Sequence, residues 1–177
     1  MRDKDLRARW VGLMRQLHMP APLDLREFAD RYGHHRGRPI RLVPYPIAAG
    51  GPYGMWVAKD TVDFIMYQAN THAVHQTAII AHEFGHMIAG HDLQQETAES
   101  LGALLPGLAP GQVRNETGAL ARSYHPSNSR IELEAETIAT MIIRDADVVG
   151  NQPVQLQHDD SPVHRFQQAL LEHRGWQ

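Results

Sequence analysis

The chain has 177 residues, no cysteine, twelve histidines and a formal charge of −3. That length suits one domain with a hydrophobic core and is short for two, and the slight acidic balance leaves no basic surplus to neutralise a phosphate backbone, so nucleic acid is not expected as a direct partner. Without cysteine, disulfides and thiolate metal sites are excluded, and any metal must be held by imidazole and carboxylate.

Residues 1–18 space Leu6, Trp10, Leu13, Met14 and Leu17 three to four apart, and residues 23–32 do the same with Leu25, Phe28, Ala29 and Tyr32. Both read as amphipathic helices, separated by Pro20 and Pro22, with Asp24 capping the second and Gly33 offering its stop. Charges run through the first nine residues where a secretory signal would be apolar, and nowhere do about 18 apolar residues run together. The expectation is a soluble, cytoplasmic protein with no membrane partner.

From 38 to 67 β-branched and aromatic residues are broken by Pro44, Pro46, Gly50, Gly51, Pro52 and Gly54. Strands are expected near 40–43, 55–58 and 62–67, forming a small antiparallel sheet. An exposed edge at 62–67 would let an extended peptide add as a strand, its carbonyl presented to a nearby site.

Asn70 or Thr71 caps the next expected helix, which runs to about Ala89 and is ended by Gly90. The glycines and prolines of 101–118 mark a loop or short-helix region. A long helix follows from about Ser129 to Val148, capped by Asn128 or Ser129 and closed by Gly150, and a last one over 161–174 buries Val163, Phe166 and Leu170. The sequence thus describes one α+β domain over 1–177, with N-terminal helices in 1–37, a core over 38–150 and a C-terminal helix.

The helix before Gly90 contains "HEFGH". On a helix, residues four apart stand one turn above each other, so His82 and His86 can bring two imidazole nitrogens to one metal. Glu83 sits about 100° round the axis, where it can face a metal-activated water without being a ligand. It would take that water's proton and later hand it to a leaving amine, the arrangement of a zinc-dependent peptidase. A chance pattern in a histidine-rich chain is the competing explanation. Against it, Ile79, Ile80, Phe84, Met87 and Ile88 surround the pair with apolar residues, among which two imidazoles and a carboxylate are costly unless a metal satisfies them.

Two residue types compete for the third ligand. Asp92 stands ten positions after His82, where sites of the form H-E-x-x-H-x-x-G-x-x-H place theirs, but the glycine belongs at 89, and this chain has Ala89 with Gly90 one step late. The alternative is a glutamate on the later helix, where "IELEAETIA" offers Glu132, Glu134 and Glu136. Helical phase puts Glu132 on one face with Ala135, Glu136, Ala139 and Ile143, small residues that permit close helix approach, and leaves Glu134 on a more polar face. Glu132 is therefore the expected ligand, Glu136 is placed to bond a ligand imidazole from behind, and Glu134 is expected in solvent. Zinc suits His-His-Glu, though manganese or iron fits the ligand types as well.

"HEFGH", preceded by a strand ending "DFIMY" and followed by "ELEAETIAT", resembles the ImmA/IrrE family of zinc metallopeptidases, whose hallmark is H-E-x-x-H followed by E-x-E-A-(D/N/E)-x-x-A. The resemblance covers roughly residues 54–143. It implies a zincin-like fold, a small antiparallel sheet packed on an active-site helix pair with flanking helices. It also implies Zn²⁺ on His82, His86 and Glu132, Glu83 as general base, and a helix-turn-helix transcriptional repressor as the protein substrate. Many members continue with Phe-Ala and Leu-Leu-x-Pro, whereas this chain has Ile138-Ala139 and Met141-Ile142-Ile143 before Arg144, which leaves the substrate subgroup open.

Other polar residues have plainer readings. His75 shares the face of His82 and His86 and would line the cleft or stay at the first-turn surface, with His72 at the surface. His91 and Asp92 would bond the helix's terminal carbonyls or the metal shell, or form a polar loop. Tyr124 or His125 would supply a donor to the developing oxyanion, or merely a turn before Pro126. A metal-binding regulator that sequesters a transcription factor without hydrolysing it is the alternative function. A structural zinc site is disfavoured because such sites are closed by four protein ligands.

Overall fold

In the computed structural model, residues 1–47, 51–59, 61–92, 94–95, 120–122 and 129–146 are described. Helix α1 (Asp3–Gln16) buries Leu6, Trp10 and Leu13 along one stripe, with Asp3 and Asp5 in its first turn and Arg15 in its last, the signs its dipole favours. Helix α2 (Leu25–Arg36) begins at Asp24, whose Oδ1 accepts from the Arg26 and Glu27 backbone N–H groups at 2.7 and 2.9 Å.

Gly33 does not stop α2. The helix runs through it to Arg36 and ends at Gly37, which takes the left-handed conformation at φ 68°. Gly33 has another use: a Cβ there would stand 3.0 Å from Arg38 O and Ile40 N, so its bareness lets the returning chain cross the helix into the sheet. Phe28 of α2 meets Trp10 edge-on at 5.6 Å, stacks on Tyr32 at 5.4 Å and meets Phe84 edge-on at 4.8 Å. This aromatic cluster joins the two N-terminal helices to the motif helix.

The described strands are β1 (Ile40–Tyr45), β2 (Gly54–Lys59), β3 (Val62–Gln68), β4 (Gln94–Gln95) and β5 (Leu120–Arg122), in the order β1-β3-β2-β5-β4. The sheet is mixed rather than antiparallel. β2 and β3 form a hairpin, Gly54 opposite Tyr67 and Lys59 opposite Val62, while β1 lies parallel to β3 with Ile40 opposite Asp63. A short turn forces β2 against the direction of β3, but alternation along β1 is the same whichever way it runs, so hydropathy could not reveal its sense.

β3 is consequently central, with Asp63 to Tyr67 all buried, and the expectation of an open edge at 62–67 is overturned: both of its sides carry strands. Asp63 itself is fully buried and holds Arg36 Nη1 at 2.6 Å and Arg38 Nη2 at 3.0 Å. Two guanidiniums from the end of α2 and the chain after it neutralise one carboxylate, pinning helix to sheet.

Helix α3 (Ala73–Ala89) is entered through His72, not Asn70 or Thr71, and no side chain caps it; Thr71 Oγ1 instead bonds His75 Nδ1 at 2.9 Å. It ends at Gly90, φ 78°. Helix α4 (Ser129–Asp145) stops three residues short of Val148. There the Leu23 N–H bonds the Asp145 carbonyl at 2.7 Å and Trp10 Nε1 donates to Asp145 Oδ2 at 3.0 Å, so α1 and the approach to α2 hold the end of α4.

α4 turns Ala135, Ile138, Ala139 and Ile142 into the core, and α3 packs there. A Cβ on Gly85 would overlap the Ala135 carbonyl oxygen and stand 3.1 Å from its Cα, so the helices approach at backbone distance. The fold is α+β. Among the described residues no helix is long and apolar enough to cross a membrane. The expected loop at 101–118, Asn128, Gly150 and the helix at 161–174 lie outside the described residues.

Candidate metal centre

α3 supplies two imidazoles one turn apart, and α4 crosses it at Gly85, one residue before His86. That crossing carries Glu132, one turn before Ala135, to the same point. His82 Nε2 and His86 Nε2 are 3.0 Å apart, and Glu132 Oε2 lies 3.3 Å from the first and 3.5 Å from the second. Donors about 2.0–2.1 Å from a tetrahedral ion stand about 3.3–3.4 Å from one another. The three residues therefore form a possible metal-binding triad, two imidazole nitrogens and one carboxylate oxygen of a kind that suits a divalent cation.

Burial grades across the site: the His86 side chain is 3% exposed, Glu132 15% and His82 24%, so one side of the triad faces the core and the other opens outward. On the open side lies a cavity of ≈ 380 Å³ between the start of β2 and α3. Tyr53, Gly54, Ala78 and Ile79 line it, as do His82 and Glu83. Glu83 is buried, and a Cβ on Gly54 would overlap Ile79 Cγ2 and stand 3.1 Å from Glu83 Oε1. Glycine at the head of β2 thus leaves room above the carboxylate.

His75, exposed, lies on the rim of this cavity with its ring 5.0 Å from that of Tyr53. It is both a first-turn surface residue and part of the cleft wall. Asp92 is exposed and stands outside the triad. The late glycine explains why: Gly90 closes α3, and the chain beyond it folds back with His91 inward. Tyr124 and His125 lie outside the described residues.

Glu136 Oε2 stands 3.5 Å from His82 Nδ1, the ring nitrogen that the triad leaves unused, on a side chain 65% exposed. Glu134 is not in solvent. It is 13% exposed and bonds the Met1 amine, Arg130 and His91. The N-terminal amine, first, and then the His91 and Arg130 bonds pull its carboxyl down to about 2, against an opposing effect of burial. Helical phase missed this because what covers Glu134 comes from distant parts of the chain.

Sequence reasoning also passed over Gly85, Tyr53 and Arg9, which donates to the Ala89 carbonyl at 2.9 Å at the end of α3, and saw in Gly54 only a strand break. A glycine inside an apolar helix was a legible signal of close packing; Arg9 carried none. Comparison of the chain with protein-family models, curated proteins and solved structures found no match.

Proposed function

We propose that this protein is a zincin-like, zinc-dependent endopeptidase acting in the cytoplasm. The observation that carries the reading is the convergence of His82 Nε2, His86 Nε2 and Glu132 Oε2 beside a buried Glu83 at the head of an apolar cavity. Zinc bound there would polarise the scissile carbonyl and bring the pKa of a water down to about 7. Glu83 accepts the proton of the attacking water and delivers it to the leaving amine, acting as base and then acid. The cavity beside it receives an apolar substrate side chain, fixing which peptide bond lies over the carboxylate.

The resemblance to ImmA/IrrE peptidases supports a helix-turn-helix repressor as the substrate. The alternative, a metal-dependent binder that sequesters such a factor, keeps the same triad and has no use for Glu83. Zinc content is the first test: about one zinc per chain in wild type and Glu83→Gln, and loss in Glu132→Ala. Repressor cleavage by the wild type but not by Glu83→Gln supports the peptidase; equal activity of the two against the repressor moves the assignment to the binder, and absence of metal overturns both.

A further inference from the structure

The two ligand histidines are backed differently. Behind His82 stands an exposed carboxylate, Glu136. Behind His86 stands a second histidine: the Nδ1 atoms of His86 and His91 are 2.9 Å apart, and His91 Nε2 lies 3.4 Å from Glu134 Oε2. His86, His91 and Glu134 are 3%, 7% and 13% exposed, so this chain of contacts runs under cover.

With His91 neutral, the Glu134 carboxylate, which as an anion only accepts, is met by a proton on His91 Nε2. Its Nδ1 is then an acceptor, and the short contact to His86 requires the proton on His86 Nδ1. That leaves His86 Nε2 with its lone pair facing His82 Nε2 and Glu132, the form a metal needs.

Backbone geometry puts His91 there. Gly90 in the left-handed conformation lets its own N–H reach Met87 O at 3.2 Å and the His91 N–H reach His86 O at 3.1 Å, a paired closure that folds the chain back over the last turn of α3. His91 is thereby held against the residue whose carbonyl it caps.

We propose that His91 and Glu134 are positioning residues that fix the tautomer and ring orientation of His86 for metal binding. The inference rests on the metal-centre half of the proposed function and not on hydrolysis. Nitrogen-15 NMR of the metal-free protein at about pH 8, above the ordinary imidazole pKa of about 6.5, reads the tautomer directly. The expected result is Nδ1–H on His86 in the wild type, lost in His91→Phe and restored in His91→Asn, whose carbonyl can take the acceptor position. Zinc affinity by chelator competition should fall about 10–100-fold in His91→Phe and recover in His91→Asn. An Nε2–H tautomer of His86 in the wild type overturns the proposal, as does undiminished zinc affinity in His91→Phe. Should the phenylalanine variant not fold, the wild-type tautomer alone decides. Failure of the wild type to bind zinc would overturn this proposal together with the metal centre, whereas zinc binding without peptide cleavage would overturn the peptidase reading alone.

Discussion

Gly85 and Ala135 meet at backbone distance, a Cβ on the glycine standing 3.1 Å from the alanine Cα and overlapping its carbonyl oxygen. Gly85 lies between His82 and His86 in sequence and Ala135 one turn after Glu132, so this contact sets the distance at which the Glu132 carboxylate faces the two imidazoles. Gly85→Ala must push the helices apart. It should cost about 1–3 kcal/mol of stability and weaken zinc binding by more than any change in fold explains. Calorimetry of the metal-free protein beside a zinc titration separates the two effects; unaltered affinity would show that the crossing does not set the site.

The cavity beside Glu83 offers a change that leaves the triad residues in place. Ala78 is half-buried on its wall, and Ala78→Phe fills the space without replacing His82, His86 or Glu132. Cleavage of substrates with a bulky apolar residue next to the scissile bond should fall about tenfold or more, with less effect where that residue is small. A uniform loss across a peptide library would assign the cavity no part in selection.

Asp63 tests the sheet rather than the site. Removing it in Asp63→Ala takes the shared carboxylate from two guanidiniums that are 24% and 32% exposed and can partly rehydrate. The expected loss is about 2–3 kcal/mol, below the full cost of breaking a dry ion pair. Urea denaturation measures it, and a change under 1 kcal/mol would mean that water replaces the carboxylate freely.

Asp145 gives a pH dependence. Burial alone would raise its pKa, but the Arg144 and Trp10 hydrogen bonds and the charge of Arg144 outweigh that and lower it below the ordinary 3.8. Its contribution is therefore present above that value and is lost as pH falls through the lower folded pKa. Asp145→Asn should flatten the acid limb of a stability profile below pH 4 while leaving its shape near neutrality unchanged; parallel limbs would remove Asp145 from the linkage.

Local features of this fold were legible because they are written in neighbouring residues. The cap at Asp24, the stop at Gly90, the strand cores and the convergence of His82, His86 and Glu132 all follow from spacing and phase. What escaped depends on residues far apart in the chain. The parallel sense of β1, the centrality of β3 and the cover over Glu134 are set by which elements meet, and periodicity along one element says nothing of its neighbours. Gly33 shows the same limit: as a stop signal it was misread, because its value lies in the chain crossing over it.

The triad joins His86 to a residue 46 positions further on, in a chain without cysteine. An ion held there is a reversible covalent-like tie, closing a ring that the chain by itself leaves open. Stability then becomes a function of free metal: above the dissociation constant, each tenfold rise adds about 1.4 kcal/mol to the folded state. With an ion bound there, metal supply would also govern how long each molecule survives proteolysis, coupling abundance to the free ion.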